Sequence, residues 1–294
     1  MEELLQCPRC SGTLARVSQC LVCGCGHVYQ LVDGEIAVLL HHDDERSSHY
    51  AQQIRYFTRE YHTCRRYHLA AWMRKYVEMA LAHFGPPRSG AVALDVGAGS
   101  GYMSIELARA GWRVIALDLT PAGVATLLNA ASAEGVRERI VPIIGSAMNL
   151  PVSAACVDAV VGNAIIEHLP DDQRFVAELA RVCRAGARGM LVAPIKLRYV
   201  WPWFWLVNWY HDRRIGHLRR YDCIRFKTLL EQHGFVLDDV RYTGHGIKVA
   251  GTLLQMLFHT HRFDEWLERI DARHCYRAYG SSNVTALFHY MLAQ

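Results

Sequence analysis

No stretch of this 294-residue chain approaches the run of about 18 apolar residues that a membrane-spanning helix needs. The nearest candidate, residues 200–207, is short and is interrupted by Pro202. The start, Met1-Glu2-Glu3-Leu4-Leu5-Gln6-Cys7, lacks the basic end and apolar centre of a secretory signal, so a cytoplasmic protein is expected. An excess of either charge is also missing. The 32 Lys and Arg against 28 Asp and Glu leave a net charge of +4, compatible with an anionic partner but too mild to demand nucleic acid. There is no internal repeat and no low-complexity tract. With 51% hydrophobic and 20% charged residues, the balance is that of a globular enzyme, and the length suits one catalytic domain with a small appendage.

Ten cysteines would suggest disulfides in a short secreted chain, but their placement argues otherwise. Five of them, Cys7, Cys10, Cys20, Cys23 and Cys25, crowd one end, while Cys64, Cys156, Cys183, Cys223 and Cys275 are scattered singly. Crowding of this kind in an enzyme points to a metal. Cys7-Pro8-Arg9-Cys10 is one knuckle and Cys20-Leu21-Val22-Cys23-Gly24-Cys25 offers a second. Two such turns bring four thiolates into the tetrahedral range that structural zinc prefers. Cys20 and Cys25 both remain open as the fourth ligand.

Three regions follow from the patterning. Residues 1–40 form the cysteine-rich module, with β-type alternation. Residues 41–89 hold a polar, His-rich connector and then amphipathic helical sequence up to the break at Gly85-Pro86-Pro87. From residue 90 to 294, strand and helix patterns alternate. Strands are expected at 91–96, 114–117, 140–144, 157–161 and 189–193, with helices at 102–110, 121–134 and 171–184. This rhythm implies a parallel sheet covered on both faces. Two insertions interrupt it, at 196–222 and 245–280; between them a helix at 222–233 and a strand at 235–242 are expected, and residues 283–292 supply a last strand, antiparallel to its neighbour. The expected fold is therefore α/β: a Rossmann-like, seven-stranded, mostly parallel sheet with an antiparallel last strand, preceded by a small β-rich module.

Between the first strand and its helix stands Leu94-Asp95-Val96-Gly97-Ala98-Gly99-Ser100-Gly101. The glycines permit a tight turn and a close approach of backbone to ligand. The second strand ends at Asp118, where an acidic side chain can accept the ribose hydroxyls of an adenosine. The spacing is G-x-G-x-G rather than the dinucleotide G-x-G-x-x-G, and Asp95 stands just before it. A pyrophosphate gains little from that negative charge, whereas an ammonium-bearing amino-acid tail gains from it. An adenosyl amino acid is thus expected rather than NAD.

These residues resemble the class I S-adenosylmethionine (SAM)-dependent methyltransferases, particularly the branch of the ubiquinone and menaquinone methylases. The resemblance covers residues 90–195 and continues through Gly145-Ser146-Ala147-Met148-Asn149-Leu150-Pro151, Val157–Val161, Glu167-His168-Leu169-Pro170-Asp171 and Arg181–Gly186. It implies that Asp95, Gly97, Ala98, Gly99 and Gly101 carry the methionine portion, and that Asp118 and Leu119 carry the ribose. It further implies that Ser146 and Ala147 meet the adenine and that Asn163 through His168 line the floor near the sulfonium. Ser146 departs from the aspartate common in the family and offers a neutral acceptor. A general base is needed only for a protonated acceptor, and His168 and His217 are the candidates.

The segment after the fifth strand shapes the acceptor site in such enzymes. Here it carries Trp201, Trp203, Trp205 and Trp209, then Gly216-His217-Leu218-Arg219-Arg220-Tyr221. Trp205, Arg219, Arg220 and Tyr221 are the expected substrate contacts of a lid that grips a greasy or anionic acceptor, or that touches a membrane surface. The alternative is a helix whose aromatics pack on the core. Cys23-x-Cys25-Gly-His-x-Tyr, with Asp33-Gly34-Glu35-Ile36, resembles a small zinc ribbon found fused to methyltransferases. The expected activity is methyl transfer from SAM to oxygen or carbon of a small-molecule or lipid-linked acceptor, with one structural zinc. The competing reading is a ribosomal RNA or tRNA methyltransferase with an N-terminal zinc ribbon. Oligomeric state is not legible.

Overall fold

The computed structural model describes residues 2–41, 47–62, 67–196, 205–258, 260 and 262–291; Cys64, Trp201 and Trp203 lie outside the described residues. The central strands are β5 (Val92–Val96), β6 (Arg113–Asp118), β7 (Ile140–Gly145), β8 (Val157–Asn163) and β9 (Cys183–Pro194). They run parallel in the order β7-β6-β5-β8-β9. β11 (Asn283–Tyr290) then inserts antiparallel between β9 and β10 (Phe235–Thr243). The mixed seven-stranded sheet matches the expectation. Strand order reverses at β5, so the carboxyl ends of β5 and β8 diverge and open a crevice there, where α/β sheets take their ligands.

The helices follow from the apolar pattern. α3 (Tyr102–Arg109) and α4 (Pro121–Ala133) cover one face together with α2 (Ala71–Phe84). The other face takes α5 (Asp172–Val182) and α7 (Cys223–Glu231). β5 shows the division within one strand. Val92, Leu94 and Val96 join the core beneath α5 and α7, while Ala91 and Ala93 join the core beneath α2 and α3. Continuous burial on both faces is what a parallel strand requires. The expected helix at 171–184 ends at Val182, because residues 183–188 already belong to the long strand β9.

The N-terminal module is built of β1 (Leu14–Val17), β2 (Cys20–Cys23), β3 (Val28–Val32) and β4 (Ile36–Leu39). It is not a detached lobe. β4 pairs in parallel with β7 (Ala37 with Ile143, Leu39 with Gly145), which makes one sheet of eleven strands. A second seam ties it down: Gln6 N donates to Pro151 O at 3.0 Å, and Ser153 N donates to Leu4 O at 2.8 Å. Both seams flank residues 145–152, the loop expected to meet the adenine. The boundary drawn at residue 40 therefore separates two stretches of sequence, while the hydrogen bonding runs across it.

α1 (Ser48–His62) lies over the carboxyl end of the sheet, α6 (Trp205–Ile215) follows β9, and α8 (Gly246–Leu257) packs on α9 (Asp264–Ala272) in the second insertion. Among the described residues no helix is long and apolar enough to cross a membrane.

Closing the sheet at its antiparallel edge leaves no room at Gly189, which pairs with Phe288; a Cβ there would fall inside the Phe288 ring. Gly189→Ala is expected to cost about 1–3 kcal/mol through overpacking, read as a fall of several degrees in thermal midpoint; an unchanged midpoint would show the β9–β11 seam to be looser than this.

Candidate active site

A cavity of about 480 Å³ opens at the carboxyl ends of β5, β6 and β8, within the range of small-molecule sites. Its floor is the glycine loop. Gly97 N and Ala98 N donate to Leu117 O at 2.8 and 3.0 Å, which pins the loop to the end of β6. Gly97, Ala98, Gly99, Leu119, Ser146, Ala147 and Asn163 all line the cavity. Gly99 has φ +53°, and a Cβ there would come within 2.6 Å of the Tyr61 hydroxyl. Only a bare backbone leaves this cradle open.

Asp118 lines the cavity from the end of β6 and is 7% exposed. Its Oδ2 accepts from Gly99 N at 2.7 Å, and its Oδ1 accepts from Thr120 N at 2.7 Å and from Thr120 Oγ1 at 2.6 Å. Burial pushes this carboxyl up from its ordinary value, against those hydrogen bonds. The bonds leave part of its acceptor capacity for a ligand hydroxyl. Ser146 Oγ pairs with the Tyr50 hydroxyl at 3.2 Å and accepts from Met148 N at 3.2 Å. Asn163 donates through Nδ2 to the Tyr102 hydroxyl.

Two of the residues expected at the cofactor do not face the cavity. Asp95 lies beneath the loop, where its Oδ2 accepts from Ser104 Oγ at 2.6 Å; burial lifts its carboxyl to about 7. It steadies the junction of β5 and α3, and any effect on a ligand acts at a distance. Gly101, at φ +85°, serves packing instead, since a Cβ there would collide with Leu127 of α4.

The wall opposite the glycine loop was not named residue by residue in the sequence reading. It comes from α1 and α2: Tyr50, Gln53, Phe57, Glu60 and Tyr61, then Trp72 and Met73. The signal was the spacing 50, 53, 57, 61, one face of a helix, inside a segment of low overall hydropathy. α1 is strapped down at three points. His49 Nε2 lies 2.7 Å from His168 O, Tyr50 reaches Ser146, and Gln53 Nε2 donates to Ile215 O at 3.1 Å.

His168 lines the cavity, but burial and then the neighbouring His217 push its imidazole down to about 3. A base so weak gains little from a proton near neutral pH, so the expected general-base role is not supported by its surroundings. His217 does not line the cavity. It stands behind His168, ring centroids 4.7 Å apart, with Nδ1 2.7 Å from Asp212 Oδ1. The expected substrate contacts are likewise occupied elsewhere. Arg219 donates to Pro170 O, Arg220 grips Asp212 at 2.6 Å and 2.7 Å, and Tyr221 is fully buried with its hydroxyl donating to Asp172 Oδ2 at 3.0 Å. These three brace the turn after α6. Trp205 is more than half exposed on α6.

Residues 94–191 match the profile of the family described as "Methyltransferase domain". A protein from Mycolicibacterium smegmatis described as "Probable S-adenosylmethionine-dependent methyltransferase" is 30% identical over 181 residues, 61% of this chain and 65% of that protein. The chloroplastic 2-methyl-6-phytyl-1,4-hydroquinone methyltransferase of Arabidopsis thaliana is 31% identical over 121 residues, 40% of this chain and 33% of that one. The geranyl diphosphate C-methyltransferase of Streptomyces coelicolor A3(2), solved with Mg2+, geranyl diphosphate and S-adenosyl-L-homocysteine, aligns with a TM-score of 0.63. That alignment spans 84% of this chain and 99% of the other at 14% identity, and so bears on the fold alone. Residues 94–191 are thus similar in sequence to a methyltransferase domain. The chain spans less than two thirds of the length of these two sequence relatives.

Beside the central α/β sheet, the structure gathers four of the five clustered cysteines. One sulfur from each of Cys7, Cys10, Cys23 and Cys25 lies within 4.8 Å of the others, with Cys7–Cys25 at 3.9 Å and Cys10–Cys23 at 3.4 Å. Four thiolates at 2.3 Å from a tetrahedral zinc stand about 3.8 Å apart, so the donor set fits that ion. The Tyr29 hydroxyl lies 3.1 Å from Cys7 Sγ. Despite burial, that contact and the backbone amides of Arg9 and Cys10 bring the Cys7 thiol down to about 7. Cys20 turns away, with its Sγ 3.5 Å from Gln30 Oε1. It pairs opposite Gln30 in a regular stretch of β2, whereas Cys23 and Cys25 flank the turn that curls back toward Cys7.

Metal analysis of the purified protein is expected to find one zinc per chain, retained in Cys20→Ser and lost in Cys25→Ser. The reverse pattern would reassign the fourth ligand.

Proposed function

We propose that the protein transfers a methyl group from SAM to oxygen or carbon of an apolar small-molecule or lipid-linked acceptor, and that the Cys7–Cys10–Cys23–Cys25 cluster holds one structural zinc. The observation that carries the first part is a single cavity shared by the Gly97–Gly99 backbone, the Asp118 carboxylate and an aromatic wall of Phe57, Tyr61 and Trp72. When bound, SAM supplies a methyl group already activated by its positive sulfur. The chain has to hold it, aim it and keep water out.

Gly97, Ala98 and Gly99 admit the amino-acid portion by exposing backbone, and Asp118 accepts the ribose hydroxyls. Ser146 and Ala147, held in place by Tyr50 and by the clasp of the N-terminal module, border the adenine. Aromatic faces on the opposite wall favour a sulfonium without quenching its charge by ion pairing. With His168 held neutral, the cavity favours a carbon nucleophile or an oxygen ionised by some agent other than this imidazole.

A lipid-linked acceptor is favoured by the surface of α6. Trp205, Leu206, Trp209 and Tyr210 are all exposed, and Arg213 and Arg214 continue the same face one turn on. Arg213 lies over the Trp209 ring at 5.8 Å. An aromatic face that runs into paired arginines suits the boundary between headgroups and acyl chains. The helix ends at Ile215 and Gly216, which Gln53 of the cavity wall holds, so this face adjoins the site.

Calorimetry is expected to show SAM binding that Asp118→Ala weakens by tenfold or more while the fold is retained; equal affinity would remove Asp118 from the ribose. Labelled methyl transfer from SAM into fractionated cell extract is expected in the lipid or small-molecule pool; label confined to RNA would overturn the acceptor class. Vesicles containing anionic lipid are expected to sediment the wild type more than Trp205→Ala/Trp209→Ala, and equal sedimentation would count against a membrane-facing α6.

A further inference from the structure

Methyl transfer as described leaves a carboxylate and an imidazole half explained. Both sit on the short helical turn Ile166–His168 that follows β8. Glu167 is 1% exposed, and its Oε2 has no hydrogen-bond partner; His168 Nδ1 is buried and also has none. Polar atoms removed from water are nearly always paired, and an unmatched pair on adjacent residues calls for a physical reason.

The third member is His217. Its Nε2 is 3.6 Å from Glu167 Oε1, and one donor atom from each of Glu167, His168 and His217 lies within 4.8 Å of the other two. These residues come from two parts of the chain. The backbone joins them where Leu218 N donates to Glu167 O at 2.8 Å. Behind His217, Asp212 Oδ1 engages Nδ1 at 2.7 Å, and Arg220 holds Asp212 through both carboxylate oxygens. A carboxylate that fixes one imidazole nitrogen leaves the other to present its lone pair, the arrangement found behind metal-bound histidines.

We propose that Glu167, His168 and His217 bind one divalent cation in the wall of the methyl-transfer cavity, where it holds an oxygen of the acceptor. Two imidazoles and one carboxylate leave coordination positions open on a six-coordinate ion. Of the three, His168 lines the cavity, which sets the cation site directly against its wall. A cation there polarises an acceptor hydroxyl and lowers its pKa, so that its proton passes to water as the oxygen takes the methyl group. This acceptor role rests on the methyl-transfer reading, whereas the cation site stands on its own residues. Donors of this kind suit manganese and iron as well as zinc, while thiolates select zinc, so Mn2+ separates this site from the cysteine cluster.

The test is titration of zinc-replete protein with Mn2+, followed by electron paramagnetic resonance. One Mn2+ per chain is expected, with pulsed spectra showing coordination by two imidazole nitrogens. Glu167→Gln and His217→Gln are expected to weaken binding more than tenfold. Asp212→Asn, which only positions His217, is expected to weaken it roughly tenfold with SAM affinity unchanged. Absence of saturable Mn2+ binding to the wild type, or a spectrum without imidazole nitrogen, overturns the site however the variants fold. Normal Mn2+ coordination in a protein that fails to bind SAM upholds the site and overturns the methyl-transfer reading instead.

Discussion

The hydrogen bond from Gly99 N to Asp118 Oδ2 is the contact on which the cavity depends. It crosses from the turn after β5 to the end of the neighbouring strand β6, beside the point of topological reversal between β5 and β8. With Thr120 on its other oxygen, the carboxylate is held in one orientation before any ligand arrives. Charge-assisted bonds of this kind contribute about 1.5–3 kcal/mol each, enough to offset the burial of a group 7% exposed. The loop thereby keeps the bare backbone of Gly97–Gly99 facing the aromatic side chains of α1 and α2.

From that fixed floor the other walls are hung by seams of unlike kind. β7 carries Gly145 and the following Ser146, and β4 braces it from outside through three parallel pairs. The loop that continues to Val152 is clasped by Leu4–Gln6. A cysteine-rich segment too small to bury much core of its own thus gains stability from the large sheet, and gives stiffness in return to one side of the cavity. α1 closes the opposite side through short polar contacts to Ser146, His168 and Ile215. Contacts of that kind open more readily than a packed core, which suits an element that covers a site through which ligands pass.

Much of this was legible in the residues. Alternating apolar runs, the G-x-G-x-G turn and an acid closing the second strand all depend on neighbours close in sequence, and the cavity contains Gly97, Ala98, Gly99, Asp118, Leu119, Ser146, Ala147 and Asn163 accordingly. Other assignments failed because residue type says nothing of direction. Asp95 belongs to a strand, where successive side chains point to opposite faces, and its face leads to Ser104 rather than to the cavity. Arg219, Arg220 and Tyr221 have the chemistry of substrate contacts, yet Pro170, Asp212 and Asp172 occupy their polar ends. Spacing left Cys20 and Cys25 both open as the fourth ligand; Cys20 pairs opposite Gln30 within β2, and the turn at Gly24–Gly26 brings Cys25 round to Cys7.

Sequence by itself determined the class of sheet and the site of the glycine turn, because each is set by short-range pattern and by residues that no other conformation accommodates. Tertiary structure decided which cysteine completes the cluster, that the N-terminal module is one sheet with the α/β core, and that α1 supplies the far wall. It alone set Glu167 and His168 against His217, some fifty residues further along. Those outcomes depend on where long loops return the chain, and loop closure leaves no periodic trace in the residues that it brings together.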